Sequence, residues 1–321
     1  MFRQSSSSRP LVTLALLAYN QQRFVAEAIA AAFAQDYEPL EIILSDDCSS
    51  DRTFEIMQHM AQTYRGPHRI RLNRNELNLG LASHYNWITE NSSGEIIVGA
   101  AGDDVSLSSR VTDSVAVFVQ YPDVTMVSFT DCRIDDEGNV VFVPPSSRTL
   151  SHVDLAAFLC SGPLAQSRLK LSGASRAILR QTYTLFGDLD PNCPAEDSPY
   201  VMRSLILGRA AVCDWPGIRY RHHEEQLSAE KSIAQMETSQ FNAQYVSDLD
   251  LAAREGFLDA AMIASVRRWI AERDLYTAVR KLKLRGEVPT LATAMRTVRS
   301  RSFSALEKIG MVRRALLRQP L

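Results

Sequence analysis

The most constraining feature of the chain is an alternation of short apolar runs with amphipathic stretches over its first hundred residues. The apolar runs are Leu11–Ala18, Leu40–Leu44, His68–Asn73 and Glu95–Ala101, and the stretches with helical spacing are Gln21–Gln35, Thr53–Tyr64 and Leu81–Asn91. Strands that alternate with helices predict βαβ units and a mostly parallel sheet. Ligands of such sheets bind beyond the carboxyl ends of the strands, so the residues that follow each strand are the first functional candidates.

Composition narrows the class of protein. The 321 residues are 45% hydrophobic and 22% charged, which is ordinary for a globular chain and excludes collagen-like, coiled-coil and disordered proteins. A net charge of −2 argues against a nucleic-acid partner. The five cysteines lack the spacing of a zinc or redox site, which favours a reducing compartment. The first apolar run is too short to span a membrane and has no cleavage pattern after it, so a cytoplasmic protein is expected.

Polar pairs follow three of the predicted strands. Tyr19-Asn20 follows the first strand, Asp46-Asp47 follows the second, and Asp103-Asp104 comes after the fourth. Two acidic pairs at one edge of a sheet repel each other unless a cation or a proton donor lies between them. Carboxylate oxygens suit Mg²⁺ or Mn²⁺ held together with substrate phosphates. Capping of the following helices is the alternative explanation of these acids.

Several enzyme classes are disfavoured by missing motifs. The chain has no Gly-x-Gly-x-x-Gly loop after the first strand, no Walker-type loop and no Gly-x-Ser-x-Gly elbow. A dinucleotide dehydrogenase and a P-loop NTPase are therefore disfavoured. The segment from His223 resembles the start of a zincin motif, but Leu227 occupies the position of the second histidine, which excludes a metalloprotease.

The segment LVTLALLAYNQQRFVAEAIAAAFAQDYEPLEIILSDDCSSDRT resembles the first βαβ unit of family 2 glycosyltransferases, which have the GT-A fold. The resemblance continues through Asn78-Leu79-Gly80, Ser93-Gly94-Glu95 and Gly102-Asp103-Asp104, covers about residues 10–115, and resumes over about 172–228. It implies an α/β fold with a mixed, mostly parallel sheet flanked by helices. It also implies the transfer of a sugar from a nucleotide diphosphate sugar to an acceptor hydroxyl, with inversion and with Mn²⁺ or Mg²⁺.

The resemblance implies a role for each polar residue at the strand ends. Tyr19 occupies the position of a contact to the nucleotide base, and Asp47 that of a carboxylate that accepts a hydrogen bond from the base edge. Asp103 is implied for the ribose or the metal and Asp104 for the metal, and Asn20 is a further candidate.

The second half carries the remaining implied roles. Asp197 occupies the position of the general base, which takes the proton of the acceptor hydroxyl, and Glu196 precedes it. A helix N-terminus that uses acids to complement its dipole is the alternative for this pair. Arg221 and His223 lie in a segment that resembles the end of the family's domain, which implies a contact of His223 with metal or diphosphate and of Arg221 with phosphate.

Two further elements are predicted between these motifs. The segment Asp131–Val143 is predicted to form two strands around a turn at Glu137-Gly138-Asn139, and the loop after it to wall the acceptor site. The segment Lys170–Ser175 is predicted to be a strand that enters the acceptor side, with small residues that allow close approach.

The predicted organisation is a flexible tail over residues 1–9, a GT-A domain over 10–228 and a helical basic extension over 229–321. The domain divides into a nucleotide-binding half, 10–130, and an acceptor half, 131–228. Residues 264–321 hold 14 basic and 4 acidic residues, a charge of +10, and the remaining residues hold 21 basic and 33 acidic, a charge of −12. Phe303, Leu306, Ile309, Val312 and Leu316 recur there at helical spacing beside arginines.

A basic amphipathic helix of this kind fits peripheral contact with an anionic membrane surface, and packing on the domain or on a partner is the alternative. We therefore expect a cytoplasmic enzyme, with peripheral attachment to the inner face of the plasma membrane as one outcome. The resemblance implies a glycan or lipid-linked acceptor in polysaccharide biosynthesis of the cell envelope. A sugar-nucleotide pyrophosphorylase and a non-catalytic nucleotide-sugar-binding scaffold are the alternative functions.

Overall fold

The computed structural model describes residues 9–223, 226, 239–300 and 302–319. All but the last residue of the predicted N-terminal tail lies outside the described residues. So do the predicted domain boundary at 228 and most of the zincin-like segment after His223. Within the described ranges, no helix is long and apolar enough to cross a membrane.

One mixed sheet forms the centre of the described structure. Its strands are β1 (Val12–Ala18), β2 (Leu40–Asp46), β3 (Arg69–Arg74), β4 (Ile96–Ala101), β5 (Val105–Ser106), β6 (Val124–Ile134), β7 (Val140–Phe142), β8 (Leu150–Val153), β9 (Ala177–Leu179) and β10 (Arg209–Arg221). The main path through the sheet is β3-β2-β1-β4-β9-β6-β10-β5, with β7 beside β6 and β8 beside β10. The four strands β1–β4 are parallel to one another, and β9 runs antiparallel between β4 and β6. The predicted fold class is confirmed.

Helices cover the sheet and continue beyond it. They are α1 (Val25–Phe33), α2 (Thr53–Thr63), α3 (Gly80–Asn91), α4 (Arg110–Gln120), α5 (Leu155–Cys160), α6 (Ala165–Arg168), α7 (Arg180–Phe186), α8 (Asp197–Leu207), α9 (Ser239–Arg254), α10 (Ala260–Arg285), α11 (Leu291–Arg299) and α12 (Ala305–Leu317). Each predicted element of the first hundred residues is present, with ends that differ by a few residues.

The sheet lies between two apolar cores. Successive residues of β1 alternate between them, since Ala15 and Leu17 pack into one core while Leu14 and Leu16 pack into the other. All seven residues of β1 are buried, because helices cover both faces of a parallel sheet. This double burial explains why the strand is an almost continuous apolar run in the sequence.

The predicted hairpin is confirmed, since β7 pairs antiparallel with β6 across the turn at Gly138. The predicted strand over Lys170–Ser175 is wrong. The segment is a loop that is joined to β6 by side-chain hydrogen bonds in place of a backbone strand ladder. Ser172 N donates to Ser128 Oγ at 3.0 Å, and Ser175 Oγ donates to the carbonyl of Phe129 at 2.6 Å. The strand that enters the sheet is β9, which begins after the loop.

The first helices of the basic extension share the main core. Tyr245, Leu249 and Trp269 belong to the same apolar cluster as one face of β1. A buried ion pair joins α8 to α9, with Arg203 Nε 2.8 Å and Nη2 2.9 Å from the two carboxylate oxygens of Asp248. The last two helices, α11 and α12, pack around a small separate cluster that includes residues of α10.

Asp248→Ala is expected to lower the free energy of unfolding by about 3–5 kcal/mol, because it leaves the guanidinium of Arg203 buried without its carboxylate. Both side chains of this pair are nearly fully buried. The matched control is Asp250→Ala, which breaks the exposed pair with Arg267 two residues away and should cost about 0–1 kcal/mol. Urea unfolding of the full chain measures both values. Equal losses in the two variants would contradict the assigned role of the buried pair.

Candidate functional site

A cavity of about 1090 Å³ lies beyond the carboxyl ends of β1, β2 and β4, between these strand ends and helix α10. Eight of the nine residues that the sequence singled out line it: Tyr19, Asn20, Asp47, Asp103, Asp104, Glu196, Asp197 and His223. Segments far apart in the chain therefore meet in one place, as the predicted sheet requires. Arg221 lies behind the cavity wall.

The loops after β1 and β2 are bonded to each other. Asn20 has a φ of +52°, a left-handed conformation that asparagine tolerates better than most residues. Its backbone N–H donates to Ser49 Oγ at 2.8 Å, and its side-chain carbonyl accepts from Ser50 N at 2.9 Å. Asp46 in turn accepts from the backbone N–H of Ser49 at 2.9 Å. Asn20 and Asp46 thus stabilise the two loops at the base of the cavity. Tyr19, in the first of these loops, is 45% exposed and lines the cavity.

The carboxylate of Asp47 is buried and fixes the start of α3. It accepts hydrogen bonds from Asn75 Nδ2 at 2.8 Å, from Leu79 N at 2.9 Å and from Gly80 N at 3.0 Å. The backbone N–H groups of Leu79 and Gly80 are donors of the kind that a helix N-terminus leaves unsatisfied. Its implied contact with a nucleotide base stays a prediction.

His84 also lies at the site, although the sequence analysis did not single it out. It lines the cavity, its Nε2 lies 2.6 Å from Ser45 Oγ, and its Nδ1 lies 3.9 Å from Asp47 Oδ2. Burial lowers the pKa of His84, although the carboxylates of Asp47 and Asp46 oppose that shift. A signal was available in the sequence, because His84 is four residues after Gly80 and so lies one turn into a helix that starts at the site.

The acidic pair after β4 meets the end of β10. Asp103 Oδ2 lies 3.0 Å from His223 Nε2, and the imidazole of His223 packs on Phe24 with ring centroids 4.9 Å apart. Asp104 Oδ1 accepts from the backbone N–H of Arg221 at 2.9 Å. Burial raises the pKa of Asp104 well above its usual range, and the neighbouring carboxylate of Asp103 raises it further.

The guanidinium of Arg221 is bonded to protein groups. Its Nε donates to the carbonyl of Asp103 at 3.0 Å, its Nη1 donates to the carbonyls of Asp135 and Asp136 at 3.1 Å each, and its Nη2 donates to Glu27. The side chain therefore fastens the acidic loop to the hairpin and to α1. Its implied contact with phosphate stays a prediction.

Asp103, Asp104 and His223 are the residues that could hold a divalent cation. Carboxylate oxygens and an imidazole nitrogen are ligands that Mn²⁺ accepts, and such ions take further oxygens from water and substrate phosphates. The buried Nδ1 of His223 has no hydrogen-bond partner among the described residues, so the ring is held by its other nitrogen. Within the described ranges, no three acidic, histidine or cysteine side chains converge as a complete protein-only metal site. The fit is thus to a cation that shares its ligands with a substrate.

The opposite wall carries the second acidic pair, at the start of α8 as predicted. Glu196 accepts a hydrogen bond from Arg176 Nη2 at 2.6 Å. Asp197 accepts from Gln166 Nε2 at 2.8 Å through one oxygen and from Ser198 N at 2.7 Å through the other. Asp197 is thereby oriented with its carboxylate at the cavity surface.

Arg176 is a site residue that sequence reasoning missed. It is 1% exposed yet lines the cavity, and its guanidinium lies 4.9 Å from the ring of Tyr85. Its Nε and Nη1 have no hydrogen-bond partner in the part of the chain that the structure describes. Beneath it, Arg110 donates to the carbonyls of Gly99, Ala174 and Arg176, and burial lowers the pKa of Arg110 to about 10.

Helix α10 of the basic extension forms a wall of the cavity, a role that the sequence did not predict. The residues of one helical face line it, namely Arg273, Tyr276, Thr277, Arg280, Lys281 and Leu284. Their spacing of one, three and four residues is that of a single helix face. Part of the positive charge of the extension therefore faces the site.

Comparison with known proteins agrees with the geometry. Residues 13–150 match the model of Glycosyl transferase family 2. This segment is therefore similar to a glycosyltransferase family 2 domain. A putative glycosyltransferase, EpsE of Bacillus subtilis, is 33% identical over 134 residues, which are 42% of this chain and 47% of that protein. An uncharacterised glycosyltransferase of Haemophilus influenzae is 25% identical over 72% of this chain and 71% of that protein. The chain thus spans about half the length of EpsE.

Solved structures of glycosyltransferases share the GT-A fold of the chain. TarS of S. aureus, in complex with UDP-GlcNAc, aligns with a TM-score of 0.57 and 16% identity over 76% of this chain and 70% of that chain. The mannosyltransferase PcManGT of Pyrobaculum calidifontis, in complex with GDP-Man and Mn²⁺, aligns with a TM-score of 0.56 and 17% identity over 97% and 86%. The segment that matches the family model ends at residue 150, so Asp197 and the wall formed by α10 lie outside it.

Gly173→Ala is expected to lower the free energy of unfolding by about 1–3 kcal/mol, because the new methyl group would overpack the contact between Gly173 and Asp197. A Cβ at this position lies 2.7 Å from Asp197 Cβ and 3.1 Å from Arg176 Nη1. Gly310→Ala in α12 is the control, since a Cβ there meets no atom of the described residues within 4 Å. That change should stabilise by about 0.5–1 kcal/mol. Denaturant unfolding compares the two, and an unchanged stability of Gly173→Ala would contradict the close approach.

Proposed function

We propose that the protein is an inverting, divalent-metal-dependent glycosyltransferase that moves a sugar from a nucleotide diphosphate sugar to an acceptor hydroxyl. One observation carries the proposal: a single cavity has the acidic pair Asp103-Asp104 with His223 on one wall and the carboxylate of Asp197 on another. An inverting transfer needs a base on the side of the sugar opposite the leaving group. The two walls supply groups for those two tasks.

Asp197 is the proposed general base. Gln166 Nε2 and Ser198 N each occupy one lone pair of its carboxylate, which leaves each oxygen able to accept a further hydrogen bond. As the acceptor oxygen attacks the anomeric carbon, Asp197 takes its proton. The bond between the anomeric carbon and the β-phosphate oxygen breaks, and the nucleoside diphosphate leaves.

The donor is proposed to lie along the strand ends. Tyr19 offers an exposed ring for a base, while Asp103, Asp104 and His223 would hold Mn²⁺ or Mg²⁺. When bound, such an ion stabilises the charge that builds up on the departing diphosphate. Burial and the carboxylate of Asp103 oppose the ionised form of Asp104, so a cation at this point removes an electrostatic cost that the protein alone bears.

The relatives support a sugar-transfer role over the alternatives. EpsE and a putative colanic acid biosynthesis glycosyl transferase, WcaA of Escherichia coli, which is 30% identical over 33% of this chain, are named as transferases. A colanic acid relative supports a glycan or lipid-linked acceptor in polysaccharide biosynthesis of the cell envelope. A pyrophosphorylase is disfavoured because the loop after β1 has neither glycines nor basic residues before Arg23. A scaffold without activity would not need the oriented carboxylate of Asp197.

Incubation of the full chain with UDP-GlcNAc or GDP-mannose and Mn²⁺ is expected to release the nucleoside diphosphate from at least one donor. A chelator should abolish the release, because the diphosphate then lacks its cation. Coupled detection of UDP or GDP gives the rate. Absence of release from any nucleotide sugar, with metal and with cell-envelope glycans as acceptors, would reject the transferase.

The base is tested by Asp197→Asn, which should lower the rate of nucleotide release about 100-fold or more while the donor still raises the melting temperature. Asp188→Asn changes an exposed acid of the loop before α8 and should keep the parent rate. Normal turnover by the Asp197 variant would show that another group takes the proton.

We also propose that α12 attaches the enzyme peripherally to the inner face of the plasma membrane. The predicted apolar stripe divides in the structure, because Phe303 is buried while Leu306, Ile309 and Leu316 are 82%, 66% and 66% exposed. The exposed members share one face with Arg313, and an apolar face with cations suits an anionic bilayer surface.

Replacement of two exposed residues, Leu306→Ser with Ile309→Ser, should weaken binding to phosphatidylglycerol vesicles about tenfold or more, because their apolar surface no longer enters the bilayer. Vesicle co-sedimentation measures the binding. At low salt, the parent protein should bind less to neutral phosphatidylcholine vesicles than to phosphatidylglycerol vesicles. A double variant of exposed leucines on other elements, Leu77→Ser with Leu185→Ser, is the control. Equal binding by all three proteins would remove the membrane proposal.

A further inference from the structure

A second cavity, of about 710 Å³, adjoins the first. The two share Gly173, Asp197, Ser198 and Arg273 among their lining residues, so they meet at the proposed general base. The second cavity extends away from the acidic strand ends toward the β6–β7 hairpin, whose Phe142 and following Pro144 line it. A molecule bound in the second cavity can therefore reach Asp197 without entering the first cavity, where the donor is proposed to bind.

The charges of the second cavity are predominantly basic. Arg133, Lys170 and Arg273 line it, against the acids Asp131 and Asp197. Asp131 compensates Arg133, with its Oδ2 3.6 Å from Arg133 Nε. Of the carboxylates in the part of the chain that the structure describes, none forms an ion pair with Lys170 or Arg273. Within the described ranges, Lys170 and Arg273 therefore have no carboxylate partner. The remaining acid of the cavity is Asp197, the proposed base.

Arg273 is held in place by aromatic rings. Its guanidinium carbon lies 5.1 Å from the ring centres of Phe241 and Tyr245 and 5.9 Å from that of Trp269. Cation–π contacts orient an arginine without neutralising its charge, so its N–H groups keep their capacity for an anion. Trp269 is fixed in turn by a hydrogen bond of 2.9 Å from its Nε1 to the carbonyl of Gly162.

We propose that the second cavity binds the acceptor, and that this acceptor carries an anionic group, a phosphate or a carboxylate, which Arg273 and Lys170 bind. The inference rests on the proposed function, because only a transferase needs an acceptor beside Asp197. It adds the class of the acceptor and assigns specificity to α10, which lies outside the matched family segment. In this arrangement the hydroxyl to be glycosylated lies beside Asp197, and the anionic group lies within reach of Arg273 and Lys170.

A neutral glycan fits these residues less well. Carbohydrate hydroxyls are satisfied by neutral amides and by carboxylates, whereas an uncompensated arginine and lysine gain most from a charged oxygen. The diphosphate of the donor is the other phosphate that could meet these cations. Since Arg273 borders both cavities, the test must separate an acceptor phosphate from a donor phosphate.

The experiment is a calorimetric titration of the full chain with glucose 1-phosphate and with glucose, each with and without saturating UDP, GDP and Mg²⁺. Glucose 1-phosphate should bind at least tenfold tighter than glucose and should still bind when nucleoside diphosphate fills the first cavity. Lys170→Gln and Arg273→Gln should each weaken its binding about tenfold, since each removes a charge-assisted contact. Arg168→Gln, which removes a cation of α6 that lies in neither cavity, should bind glucose 1-phosphate as the parent does.

Three outcomes would overturn the inference: equal affinity for the two sugars, equal loss in the Lys170 and Arg168 variants, or complete displacement of glucose 1-phosphate by nucleoside diphosphate. The last would assign these cations to the donor. Circular dichroism of the Arg273 variant checks its fold, and Lys170, which is on the surface, provides the independent variant. Turnover of nucleotide sugars is measured separately. Turnover of a nucleotide sugar without a preference for glucose 1-phosphate over glucose rejects this inference alone. Binding of glucose 1-phosphate without any turnover rejects the proposed function and leaves only an anion-binding site.

Discussion

The site depends on how Arg221 fastens the acidic loop after β4. Its backbone N–H donates to Asp104, and its guanidinium donates to the carbonyl of Asp103, to the hairpin carbonyls and to Glu27 of α1. One buried cation therefore joins four segments that are distant in the chain. Without it, the acidic loop would lose its bonds to the hairpin and to α1, and Asp104 would lose one of the cations that lower its pKa, while Arg110 would remain. The same strand leads to His223, whose Nε2 lies 3.0 Å from Asp103 Oδ2.

On the other wall of the cavity, too, buried arginines hold a carboxylate and a loop in place. Glu196 is paired with Arg176, and Arg110 bonds the carbonyls of the loop that precedes β9. Buried arginines thus hold backbone and carboxylates around the cavity, while the carboxylates of Asp103 and Asp197 face it. Removing one partner of such a pair leaves a charge without compensation, which is why the geometry resists change. The acids at the cavity surface are the ones left for a cation or for a proton.

The sequence predicts the wall formed by the strand ends well, because the position of those residues follows from local rules. Strands buried on both faces are apolar runs, and residues that end parallel strands must share an edge, so the strand pattern alone is enough to place Tyr19, Asp47 and Asp103 together. The loop at Gly173 could not be predicted in this way, because its conformation is set by hydrogen bonds that join it to Ser128 and Phe129, far away in the chain. Arg176 could not be predicted as a site residue for the same reason, since the neighbouring residues in the sequence do not distinguish a buried arginine from an exposed one.

The basic extension shows most clearly what a linear pattern leaves open. The charge of +10 over residues 264–321 suggests one surface with one partner, yet the helices of this segment have different surroundings in the structure. Arg273 of α10 is enclosed by aromatic rings at the junction of two cavities, whereas Leu306 of α12 is 82% exposed beside cations. Which arginines face the site depends on how α9 and α10 are anchored. The buried pair of Arg203 and Asp248 contributes to that anchoring, together with the apolar contacts of Tyr245, Leu249 and Trp269 in the main core. The cavity beyond the strand ends thereby receives its remaining wall from helices that lie outside the segment matched by the family model. In the proposed transferase, selection of the acceptor can change on that wall without disturbing the strand ends on the other.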